Sequence, residues 1–229
     1  MSKPEPRPPD FVAPGVRLYC GDCLEILPEL EGIDAVVSDP PYGMSNDCDY
    51  SRFTGGPNSH GDASSKTYED VVGDDKPFDP TPFLRYEKVV LWGSNHYAER
   101  LPVGTTLVWL KRFDEGFGSF LSDAEVAWMK GGHGVYCVRD TSMYAKTKER
   151  CHPCQKPVGL MRWCLERAKV PAGATVFDGY MGSGTTALAC IQTGRPFIGC
   201  EVVPEYFDLA VRRIKAELNR HPLFEPPMA

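Results

Sequence analysis

No apolar run in this chain reaches the roughly 20 residues that a membrane-spanning helix requires, which argues against an integral membrane protein. The opening stretch, Met1–Pro14, lacks the apolar centre of a secretory leader. It is polar and proline-rich, and is expected to be a disordered arm. An excess of positive charge is also missing. The net charge is −6, which argues against indiscriminate attachment to nucleic acid. No internal repeat is visible, so a repeat array is excluded.

What remains is enough for one sizeable core. At 229 residues and 42% hydrophobic, the chain is expected to form a single domain over 15–220, with a loose tail from 221, in the cytoplasm. Several of the nine cysteines, among them Cys164, Cys190 and Cys200, sit inside apolar runs, as buried reduced thiols do. Cys20 with Cys23, and Cys151 with Cys154, have the spacing of zinc ligands within each pair. A long stretch separates the pairs, and no metal is expected.

The pattern predicts short buried strands at Val16–Cys20, Ile33–Val37, Val89–Trp92, Thr105–Leu110, Ala124–Met129, Thr175–Asp178 and Pro196–Glu201. Gly131–Gly134 reads as a hairpin turn into Val135–Val138. Helices are predicted over Pro157–Lys169, from about Thr185 to Thr193, and from Pro204, where Tyr206, Leu209, Ala210, Ile214 and Leu218 share one face. Strands alternating with helices imply an α/β sheet covered on both sides. Residues 44–80 are rich in Gly, Ser, Asp and Asn and too long for an ordinary connector, so they read as a mobile loop. Acidic residues crowd the first third of the chain. Lys130–Lys156 instead carries six basic residues against Asp140 and Glu149, making 131–151 the likelier neighbour of a phosphate backbone.

Two stretches carry chemistry. Ser38-Asp39-Pro40-Pro41-Tyr42-Gly43 follows a buried strand, and its prolines end that strand at once because neither has an N–H to give. The stiff corner offers the Asp39 carboxylate and the Pro40 carbonyl as paired acceptors for an NH2 group, with the Tyr42 ring beside them for a flat partner. An ordinary strand-ending turn would have the same composition. Far downstream, Asp178 to Thr186 is a strand, a glycine turn and a helix start. Gly182 and Gly184 let backbone N–H groups approach a ligand at a helix N-terminus. No Lys precedes Thr185, so this is not a triphosphate loop. Glu201, ending the next strand, is placed to accept from ribose hydroxyls, as in dinucleotide folds, and a nicotinamide or flavin enzyme would look similar.

Together with Gly21-Asp22-Cys23, Leu91–Tyr97, Asp123–Trp128, His152–Pro157 and Phe197–Glu201, these stretches resemble the S-adenosylmethionine-dependent DNA amino-methyltransferases. The nearest likeness is their permuted beta class, which includes solitary and phage-borne enzymes. The likeness spans most of 16–218. It departs where the family has Asp-Pro-Phe and this chain has Asp178-Gly179-Tyr180, and where Cys154 replaces the usual Thr. The resemblance implies a three-layer Rossmann-like sheet, mostly parallel with one antiparallel strand and permuted motif order. It implies a base flipped out of DNA, with Asp39, Pro40, Pro41 and Tyr42 as the catalytic set. Cofactor contacts would come from Asp22, Cys23, Lys156, Asp178, Gly182, Ser183, Gly184, Thr185 and Glu201. Lys111, Arg112, Arg139, Lys146, Lys148 and Arg150 would meet DNA. Asp rather than Ser before Pro-Pro-Tyr leans toward adenine N6 over cytosine N4. Methylation of RNA or a protein amide, and a non-catalytic DNA-binding relative, are the alternatives. Relatives are often dimers, so a homodimer is one assembly the resemblance implies.

Overall fold

The chain buries its strands on both faces. In the computed structural model, which describes residues 7–44, 72–118, 122–142 and 155–220, the strands are β1 (Phe11–Ala13), β2 (Val16–Cys20), β3 (Ala35–Ser38), β4 (Lys88–Trp92), β5 (Gly104–Leu110), β6 (Ala124–Arg139), β7 (Val176–Asp178) and β8 (Phe197–Glu201). Every residue of β3, β7 and β8 is buried, as in a sheet with a helical layer on each side. Side chains alternate between two cores. Val37, Val90 and Trp92 face one, and Val36, Val89 and Leu91 face the other.

The first core is covered by α3 (Val158–Arg167), α4 (Thr185–Gln192) and α5 (Pro204–Arg220), through Leu160, Cys164, Leu188, Ala210 and Ile214. The second is covered by α1 (Cys23–Ile26) and α2 (Thr81–Leu84), through Cys23, Ile26, Phe83 and the adjoining Phe78 and Tyr97. Three layers result. The sheet order is β1-β2-β8-β7-β3-β4-β6-β5. Chain order reverses between β7 and β3, which pair in parallel at Ala35↔Val176 and Val36↔Phe177. A crevice opens above the carboxyl ends of strands at such a reversal.

Three expectations change. Part of the supposed N-terminal arm is ordered: β1 pairs antiparallel with β2, Phe11 opposite Leu18, and Asp10 Oδ2 accepts from Cys20 N at 2.8 Å. The sheet therefore has a second antiparallel element at its far edge. Residues 124–139 do not form a simple hairpin either. Their first half pairs antiparallel with β4, Trp92 opposite Ala127. The chain then turns around the start of β5, so that Leu107 has Ala127 on one side and Tyr136 on the other. Thr105 Oγ1 donates to Gly131 O at 2.8 Å and holds that turn. Finally, the end of the 44–80 segment is ordered: Phe78 is 6% exposed and packs against Tyr97 with ring centroids 4.9 Å apart. Tyr50, Phe53 and Tyr68, residues 143–154 and the tail from 221 lie outside the described residues.

Candidate active site

The Pro-Pro corner is held from three sides. Ser38, the last residue of β3, donates from Oγ to Asp178 Oδ1 at 2.6 Å, which ties the corner to the end of β7. Asp74, 5% exposed, accepts at one oxygen from the backbone N–H groups of Tyr42 (2.9 Å), Gly43 (2.8 Å) and Met44 (3.3 Å). A carboxylate in such a nest of amides fixes a turn strongly. Beneath the Tyr42 ring lies Gly93, at φ 71°. A Cβ there would stand 1.9 Å from the Tyr42 ring, so only glycine lets the ring seat. The His96 ring stacks on Tyr42 at 4.8 Å and 14°.

A line of charges runs behind the corner. Tyr42 donates from its hydroxyl to Asp39 Oδ1 at 2.7 Å, and Lys156 Nζ donates to Asp39 Oδ2. Lys156 also meets Glu125 Oε2 at 3.2 Å, and Lys111 meets Glu125 Oε1 at 3.0 Å. Burial alone would lower the Lys156 pKa, but Asp39, Tyr42 and Glu125 outweigh it and raise that pKa well above the usual lysine value. Burial pushes the Glu125 carboxyl up, yet the ammoniums of Lys156 and Lys111 bring it net below the ordinary range. Burial, and then the Asp39 charge, raise the Tyr42 phenol well above its usual value.

The glycine loop follows β7. Asp178 is fully enclosed: besides Ser38 it accepts from Thr186 Oγ1 at 2.6 Å and Tyr180 N at 3.1 Å. Burial raises its carboxyl to about 6 even so, against the lowering pull of those hydrogen bonds. Glu201, at the end of β8, accepts from Gly182 N at 2.9 Å and Val203 N at 2.8 Å, and burial again raises its pKa. Arg213 of α5 reaches the loop from below, donating to Ser183 O and, at 2.7 Å, to Ser183 Oγ. Asp22 caps α1 by accepting from Leu24 N at 2.8 Å. Cys23 is 2% exposed, and its thiol is pushed up to about 12 by burial. It packs behind the turn, where a Cβ on Gly179 would come within 3.0 Å of its sulfur. A bulkier residue at 179 would need that thiol to give by a few tenths of an ångström.

Most of the residues singled out in the sequence thus lie at the carboxyl ends of the neighbouring strands β2, β8, β7 and β3, with differences. Lys156, expected on the cofactor wall, is bound to Asp39. Lys111, expected at a phosphate backbone, is spent internally on Glu125. Arg139 pairs with Asp114 and lies over the Phe117 ring at 5.7 Å, while Arg112 Nη1 donates to Gly116 O at 3.2 Å. Lys146, Lys148 and Arg150 lie outside the described residues. Asp74, Glu125 and Arg213 were missed as site residues. Glu125 alone had a signal, since it stands within the quoted Asp123–Trp128 stretch.

Comparison with known proteins bears on this geometry. Residues 133–212 match the family model described as DNA methylase (N6_N4_Mtase). Over that stretch the chain is similar to the N6/N4 DNA methylases. Among its relatives, the Type II methyltransferase M.Cfr9I of Citrobacter freundii is 41% identical over 61 residues, 27% of this chain and 20% of that protein. The chain thus spans only about a fifth of that relative's length in the match. M.HpaI of Haemophilus parainfluenzae, another Type II methyltransferase, is 24% identical over 89% of this chain and 75% of its own. The crystal structure of the M1.HpyAVI–SAM complex superposes with a TM-score of 0.55 at 22% identity, covering 86% of this chain and 99% of that one. That likeness establishes the Rossmann-like methyltransferase fold. The matched stretch includes the glycine loop and Glu201 but stops short of the Asp39 corner, whose place beside the loop rests on the sheet itself.

Proposed function

We propose that this protein transfers a methyl group from S-adenosylmethionine to an exocyclic amino group of a base in DNA, adenine N6 in the first instance. The observation that carries the reading is the 2.6 Å bond from Ser38 to Asp178. It sets an acceptor pair for an amine directly beside a glycine loop suited to a nucleoside. The residues fit such a cofactor: a Cβ on Gly182, at φ +50°, would meet no heavy atom within 4 Å, so the loop faces open space. Glu201 ends β8 at that loop with both oxygens on backbone N–H groups and lone pairs left for ribose hydroxyls. The exposed Asp22 carboxylate stands ready for an adenine amine.

When bound, the cofactor supplies an already activated sulfonium methyl, so the protein contributes positioning and electrostatics. Asp39 and the Pro40 carbonyl accept from the amine and draw its lone pair out of ring conjugation. With the cofactor bound, the amine nitrogen held by Asp39 and Pro40 would take the methyl, and the proton it loses would pass through the Asp39 carboxylate to solvent. The flipped ring would meet Tyr42 on the face where His96 now stacks, so His96 would have to give way to it. The Asp before Pro-Pro-Tyr supports adenine; the match to the family model described as DNA methylase supports DNA as substrate.

Labelled methyl transfer offered to DNA, RNA and protein in parallel tests the reading, with single-molecule sequencing of the product DNA to name the base. Asp39→Ala is expected to lower turnover by roughly 10²-fold or more, the usual cost of removing a transition-state contact. Full activity in that variant rejects the assignment.

A further inference from the structure

Lys156 has a side chain 6% exposed, and three groups converge on its ammonium. Asp39 Oδ2 accepts from it, Glu125 Oε2 lies 3.2 Å away, and the Trp92 ring centroid is at 5.4 Å. Glu125 gives its other oxygen to Lys111 at 3.0 Å. The signs alternate along Lys111, Glu125, Lys156 and Asp39, so each charge has an opposite neighbour. Burying an ammonium is costly unless it is paired and hydrogen-bonded, and an apolar residue would fill the same wall without that cost. What the ammonium adds is control over one specific oxygen.

Resting on the methyl-transfer reading above, we propose that Lys156 is a positioning residue for Asp39. It commits Oδ2 and leaves Oδ1, with the Pro40 carbonyl, to receive the amine. A carboxylate free to turn about its Cβ–Cγ bond could take both amine hydrogens itself and leave the nitrogen lone pair misaligned. Pinned at Oδ2, it takes one hydrogen and the Pro40 carbonyl takes the other. The Tyr42 hydroxyl, which donates to Oδ1 at 2.7 Å, holds that oxygen in place until the amine displaces it. Glu125 keeps the ammonium seated, and Lys111 keeps Glu125 compensated.

The pinning makes a specific demand on an amide at position 39. In Asp39→Asn, the Lys156 ammonium selects the amide oxygen, so the NH2 group turns toward the incoming amine, donor against donor. Removing Lys156 frees that amide to flip. The full-length wild type, Lys156→Met, Asp39→Asn and the double variant are compared for kcat, KM for DNA and cofactor affinity by calorimetry. Each single variant is expected to lose roughly 10²-fold in kcat, with KM and cofactor affinity within about threefold. The double variant is expected to exceed Asp39→Asn by about tenfold or more, a non-additivity that a merely structural lysine would not produce. Wild-type kcat in Lys156→Met overturns the proposal. So does a loss confined to cofactor affinity, or a double variant no better than Asp39→Asn. If the wild type itself methylates nothing, the functional reading fails separately, and the same four proteins are compared by thermal unfolding. Melting losses that cancel in the double variant support the Lys156–Asp39 link, and strictly additive losses overturn it.

Discussion

Asp178 shows how a single carboxyl can bind two motifs together and still carry a cost. It receives Ser38, Tyr180 and Thr186, yet burial lifts its pKa from 3.8 to about 6. Below about pH 4 the folded and unfolded chains both hold this proton. Between there and about 6 the folded chain keeps a proton that the unfolded chain has lost, so stability from this residue falls as pH rises and then levels off. Each pK unit corresponds to about 1.4 kcal/mol. Asp178→Asn removes the ionisation and keeps acceptor and donor in the same pocket. Its melting temperature is expected to gain on the wild type from pH 4.5 to about 6 and then to hold that lead to pH 7. Parallel melting curves across that range would show that Asp178 is not the residue responsible. Sequence spacing found Asp178 because it precedes the glycines. Asp74 and Arg213 had no such mark, since each acts on a backbone some 30 residues away in the chain.

Among the elements, the corner after β3 depends most on a distant support. Asp74 accepts three consecutive backbone N–H groups there, and removing it leaves them with water or nothing. Asp74→Ala is expected to lower methyl transfer more than tenfold while the melting temperature drops by a few degrees, about 1–3 kcal/mol for one buried hydrogen-bonding group. Asp74→Asn, which keeps one acceptor oxygen, should retain much of the activity. Equal activity in Asp74→Ala and wild type would free the corner from this clamp. Strand positions were largely legible, because β-branched and aliphatic runs bounded by Gly and Pro mark buried strands. The partners of each strand were not. Val135–Val138 reads as the second arm of a hairpin, and only the register shows that β5 lies between the two halves of β6.

For the whole molecule, net charge and its distribution set how DNA would be met. The chain carries −6, and Lys111, Arg112 and Arg139 already have partners in Glu125, the Gly116 carbonyl and Asp114. Of the basic residues expected at phosphates, this leaves Lys146, Lys148 and Arg150 as the strongest candidates. Neutralising those three together is expected to flatten the dependence of log affinity on log salt by about 3, close to one unit per phosphate contact. Lys111→Met should leave that slope unchanged. Fluorescence anisotropy across a salt series measures both. A slope altered by Lys111→Met alone would reverse the assignment. No helix among the described residues is long and apolar enough to cross a membrane.

The order of strands also governs assembly. β2 and β3 are close in the chain, yet β8 and β7 stand between them in the sheet. A ribosome delivering this protein releases both flanking strands long before the pair that fills the gap, so the nascent chain carries two unpaired edges until residues 176–201 appear. Folding of this centre is consequently a late, long-range event, slow in the manner of topologies rich in distant contacts. The newborn chain is open to mispairing with its neighbours for most of its synthesis.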